Sequence, residues 1–124
     1  VKLPLPEFHI RISKNRGLSS FFSDKLMATP QNPYIQAIRI GQMVWISTPC
    51  DFSGEYAVQI KNSLAAKRFL ANVSSFNGSY LGYIIPGKYF FMDEYEAQTM
   101  GWFGPNMGEY TMDVIRRVSD LAIQ

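Results

Sequence analysis

A chain of 124 residues is the size of one domain with one hydrophobic core, and its composition, 47% hydrophobic and 15% aromatic against 18% charged, excludes a disordered polymer. The 12 Lys and Arg against 10 Asp and Glu leave a net charge of +2, too even to point to nucleic acid or an anionic membrane surface as partner. No apolar run approaches the roughly 18 residues of a transmembrane segment, and Cys50, the single cysteine, excludes an intrachain disulfide.

The first predicted element is a half-buried strand over residues 6–13, where Phe8, Ile10 and Ile12 alternate with His9, Arg11 and Ser13. Residues 14–33 lose that period and read as a long loop, a place where lids and binding loops occur, although Phe21, Phe22 and Leu26 serve equally well to pin it to the core. Residues 34–49 predict a tight hairpin turning at Gly41-Gln42, with the run Met43 to Ile46 buried on both faces. Beyond it, Tyr56, Ile60 and Leu64 form a helical stripe. A further strand, a turn at Asn77-Gly78 and an extended piece ending at Pro86 follow.

A loop rich in aromatic and acidic residues then leads to a terminal amphipathic helix over residues 106–123. Pro105 stands near its start, and Val114, Val118, Leu121 and Ala122 share one face. The fold class predicted is α+β with α/β-like layers, a mixed sheet flanked by helices. Residues 1–124 form a single segment, and the chain opens on Val1, which predicts a piece of a larger domain.

Asp51 follows the buried run at the turn into the stripe helix, a position that suits a ligand-binding carboxylate and equally suits a helix N-cap. Glu55 could share its face of the first turn. Tyr80, Tyr83, Tyr89 and Tyr95 crowd the region after Asn77-Gly78; a buried tyrosine ordinarily contributes area and one hydrogen bond, and one projecting into a cleft can ligate a metal or donate to an oxyanion. His9, the single histidine, makes no metal site by itself and reads as a surface residue. Cys50 reads as a small buried side chain rather than a nucleophile. Asn72 and Asn77 stand in glycosylation sequons, "NVS" and "NGS".

The strings "IGQMVWISTPCDFSGEYAVQIK", "NVSSFNGSYLGYIIP" and "DEYEAQTMGWFGPNMGEY" together resemble the C-terminal part of the catalytic domain of the neutral/alkaline, non-lysosomal ceramidases. In that family an "IG" strand ends in a Pro-Gly-Glu-Phe-like turn. An Asn, a Tyr-x-x-Tyr pair, a Tyr-Glu and an aromatic-Gly-Pro follow before a closing helix. Here these stand as Pro49-Cys50-Asp51-Phe52, Asn77, Tyr80 to Tyr83, Tyr95-Glu96 and Phe103-Gly104-Pro105. The likeness spans about residues 38–124.

The resemblance implies a zinc-dependent amidohydrolase that cleaves the N-acyl bond of ceramide or a related lipid amide. It assigns Asp51 and Tyr83 as zinc ligands and Tyr95 to the scissile amide oxygen. It further implies an exported or membrane-associated protein. The sequence departs from the family at Asp51, where the family has Glu, and in a loop between Tyr95 and Gly104 that is one residue longer. The family's zinc histidines belong to an N-terminal portion outside this chain, so that portion, in the same or another chain, is the expected partner, and these residues alone are expected to be inactive. The alternative is a non-catalytic α+β binding or structural module in which Asp51 serves only as a helix cap.

Overall fold

The computed structural model describes residues 1–13, 16–28 and 30–124. Its centre is a three-stranded sheet of β3 (Gln36–Ile40), β4 (Met43–Ser47) and β6 (Leu70–Ser74) in the order β3-β4-β6. The β3–β4 hairpin pairs Ile40 with Met43 across Gly41, whose φ of +61° suits glycine in a tight turn. β6 runs parallel to β4, with Met43 opposite Leu70 and Ser47 opposite Ser74. That parallel return needs a crossover, and α2 (Gly54–Ala66) supplies it.

α2 forms because Tyr56, Ile60 and Leu64 recur at helical spacing, and all of them are buried as the stripe predicts. The helix stops in a Schellman arrangement: Phe69 N–H donates to Leu64 O at 2.9 Å and Arg68 N–H to Ala65 O at 2.9 Å. Arg68 takes the left-handed conformation there, φ +64°, where glycine is usual. α4 (Met107–Ile123) packs on β3 and β4 while α2 packs on β6. The core is therefore Val44 and Ile46 from the sheet against Tyr56, Ile60, Leu64, Met112 and Ile115 from the helices.

Several expectations change. β4 is buried on one face only: Val44 and Ile46 are fully buried, whereas Met43 and Trp45 are 38% and 44% exposed, because both helices cover the same side. On α4 the buried stripe is Gly108, Thr111, Met112, Ile115 and Ser119; of the face read from the sequence, Val114 packs part-buried against the core while Leu121 projects into solvent.

The N-terminal strand is shorter than expected, β1 (Arg11–Ser13) paired with β2 (Arg16–Gly17). Phe8 is buried before it, against Trp102 and Phe103. The 14–33 segment is no continuous loop. Apart from Lys14, Asn15 and Thr29, which lie outside the described residues, it holds β2 and a short helix, α1 (Ser20–Leu26). Ser23 anchors α1 by accepting a hydrogen bond from Ile10 N–H at 3.0 Å, while Phe21, Phe22 and Leu26 point outward. The aromatic loop likewise contains a 3-10 turn (Gly87–Phe91) and α3 (Tyr95–Thr99).

Candidate functional site

Beyond β4 the chain does not enter the helix directly. Asp51 and Phe52 form a strand of their own, β5 (Asp51–Phe52), which pairs in parallel with β7 (Tyr83–Ile84). The register puts Asp51 opposite Tyr83 and Phe52 opposite Ile84. Asp51 N–H donates to Gly82 O and Ser53 N–H to Ile84 O, both at 3.0 Å, while Leu81 N–H donates to Pro49 O at 2.8 Å. On the other flank Asn77 N–H donates to Thr48 O at 2.9 Å and Phe76 N–H to Cys50 O at 3.1 Å. The segment bearing Asp51 is thus held from both sides by backbone bonds, which fixes where its carboxylate starts.

Gly82 makes the β7 approach possible. Its φ is +69°, and a side chain there would run into Met100 O and the Trp102 ring. Tyr83 N–H donates to that same Met100 carbonyl at 3.0 Å. Three separate stretches of chain therefore converge on the Asp51–Tyr83 pair.

Asp51 does not cap α2. The N-cap is Ser53, and no side-chain cap bond is made, because β5 interposes before the helix begins. The helix-cap expectation is corrected accordingly, and with it the picture of Asp51 at a strand-to-helix turn. Its half-buried carboxylate instead lines a cleft of about 520 Å³ together with Phe52, Tyr83, Tyr89, Glu94 and Glu96. Glu55 takes another course. It accepts from Lys88 at 2.9 Å and from the Tyr89 hydroxyl at 3.1 Å, and the Lys88 hydrogen bond holds its carboxyl below the usual range.

Tyr80, which the sequence marks only as one of a cluster, lies in the electrostatic neighbourhood of Asp51. Burial pushes its phenol up first, and the Tyr83 phenol and the Asp51 carboxylate add to the shift. Its ring stacks on Phe76 and meets Trp102 edge-on, each at 5.7 Å between centroids. Tyr95 is the outlier among the expected site residues. It opens α3, is 69% exposed and is not among the residues that line the cleft, although its neighbours Glu94 and Glu96 are.

His9 stays away from the cleft, its Nδ1 3.1 Å from Leu18 O and its Nε2 3.4 Å from Glu7. Cys50 is fully buried and its thiol is pushed up to about 12, chiefly by that burial, which makes it an inert packing group.

The donor set available for zinc is a carboxylate and a phenol, both oxygen ligands on adjacent strands. A catalytic zinc site takes three protein ligands. Among the described residues no three His, Cys, Asp or Glu side chains gather closely enough to hold a metal ion.

No protein-family model and no curated protein sequence matches the chain. The fold is of the α+β class and has a counterpart among solved structures. It is similar to the crystal structure of a neutral ceramidase from Pseudomonas aeruginosa, with a TM-score of 0.55 and 20% identity over 78% of this chain. The match covers 17% of that protein's length. At this identity the similarity is one of fold.

Proposed function

We propose that this chain is the C-terminal portion of a ceramidase-like zinc amidohydrolase that cleaves the N-acyl bond of ceramide or a related lipid amide. The observation that carries the proposal is the register of β5 on β7, which sets Asp51 beside Tyr83 at the lip of one acidic cleft. A carboxylate and a phenol are the residue types that the resemblance assigns to zinc. Here they come from distant parts of the sequence yet occupy paired positions. The fold similarity to a neutral ceramidase supports the same reading.

In this proposal Asp51 and Tyr83 supply two oxygen ligands, and histidines from the N-terminal remainder, in the same or another chain, complete the site. Zinc held there would supply Lewis acidity, lowering the pKa of a water to about 7 so that hydroxide is available as nucleophile near neutral pH. Asp51 is one methylene shorter than the family's Glu, and its backbone, gripped between residues 74–77 and 81–84, sets how far it reaches. Tyr95 would hold the amide oxygen from its exposed position on α3, next to the cleft-lining Glu94 and Glu96. Export or association with a membrane follows from the same family reading. The non-catalytic module is the second reading, favoured by the position of Tyr95 outside the cleft.

Zinc content and N-acyl hydrolysis of the full-length protein test the proposal. Asp51→Ala and Tyr83→Phe are each expected to lower zinc occupancy and abolish hydrolysis, while Asp51→Glu keeps the metal. Unchanged zinc in both of the first two variants removes the proposed ligands.

A further inference from the structure

The β3-β4-β6 sheet has one face under α2 and α4 and the other face open. The register arranges the open face in rows. Gln36, Ser47 and Ser74 make one row, in which Ser47 is already buried and Ser74 is held by Asn77; Ile38, Trp45 and Asn72 make the next, and Ile40, Met43 and Leu70 the last, at the Gly41 end. Ile38 is 56% exposed, Ile40 65% and Leu70 67%, alongside the half-exposed Met43 and Trp45. Not one of the nine side chains in these rows is charged. Arg39, the nearest cation on β3, is turned to the helix side, where it donates to Ile123 O at 3.3 Å and lies over the Phe69 ring.

We infer that this face is the surface on which the remainder of a larger fold packs, as a polypeptide layer that is apolar opposite Ile38, Ile40, Met43, Trp45 and Leu70. The inference rests on the reading that the chain is one portion of a longer protein, and it names the surface through which the portions join. All-parallel sheets are covered on both faces, whereas the solvated face of an antiparallel sheet alternates to polar residues; the open face of this mixed sheet instead carries Ile38, Ile40, Met43, Trp45 and Leu70. A contiguous apolar patch of this kind is rare on a finished surface. A bilayer surface fits poorly, since interfacial binding combines an apolar face with Lys or Arg and these rows have neither. The ceramidase of similar fold spans far more chain than the 17% matched here, enough to supply a second layer.

Hydroxyl-radical footprinting with mass spectrometry on the full-length protein carries the test, with references inside the same molecule. Trp102 and Met112 are 6% and 1% exposed. With the face covered, Trp45 is oxidised as slowly as Trp102, and Met43 as slowly as Met112, both held in a close-packed interior. Oxidation of Trp45 and Met43 about ten-fold faster than those references overturns the inference. So does protection that disappears on dilution from dimer to monomer, which would make the cover a second copy, or protection that appears only with phosphatidylcholine vesicles. The readout is independent of zinc and hydrolysis, so a protein without metal but with Trp45 protected would refute the catalytic proposal and leave this one standing.

Discussion

Asn77 fastens the turn beneath the candidate site with its side-chain amide. Its Nδ2 lies 2.7 Å from Ser74 Oγ, 2.9 Å from Ser75 O and 3.2 Å from Ser74 O. Asn77→Ala removes the amide donor from the half-buried Ser75 O and Ser74 Oγ, while Ser74 O keeps Thr48 N–H, and is expected to cost about 1–3 kcal/mol, measured by urea denaturation. The sequon at Asn77 thus marks a structural amide, a role that its pattern in the sequence does not disclose. Cys50 offers a second test at this scale. Its folded thiol titrates at about 12 against an ordinary 9.0, so the unfolded chain releases that proton first. The contribution of this thiol to stability is therefore fully present below pH 9 and is expected to be lost as pH rises beyond it, and a Cys50→Ala variant loses that part of the alkaline slope. Iodoacetamide at pH 8 is expected to leave the native thiol unmodified.

Among the elements, α4 shows why a correct helix can carry an incorrect face. Val114, Val118 and Leu121 are apolar at helical spacing, yet the sheet meets the stripe of Gly108, Met112 and Ile115. Gly108 fixes the rotation, because a side chain there would strike Ile85 O and the Tyr56 hydroxyl. Tyr56 in turn donates to Glu109 at 2.8 Å. Ile115→Ala is accordingly expected to cost about 2–5 kcal/mol, and Leu121→Ala within about 0.5 kcal/mol. Thermal or chemical denaturation of the pair distinguishes the two faces. The stop of α2 is a second case, invisible in the sequence because an arginine occupies the left-handed position. Arg68→Gly relieves that backbone and is expected to stabilise the protein by about 0.5–1 kcal/mol, read from the denaturation midpoint.

For the molecule as a whole, the site depends on contacts between segments that share no local pattern. Gly82→Ala adds a methyl group that strikes Met100 O, whose partner is Tyr83 N–H. It is expected to destabilise the fold by more than about 1 kcal/mol, measured by urea denaturation. Period and turn chemistry were enough to encode the Gly41 hairpin, the Tyr56-Ile60-Leu64 stripe, a helical C-terminus and the α+β class. Each depends on neighbours a few positions apart. Tertiary structure alone decided that Asp51 lies on a strand against Tyr83 rather than capping α2, because pairing between distant strands leaves no trace in either one's local sequence. It also decided which side of the sheet is open. Met43-Val44-Trp45-Ile46 is apolar on both faces as written, and only the placement of α4 over β3 and β4, with α2 beside it over β6, buries Val44 and Ile46 and leaves Trp45 facing out.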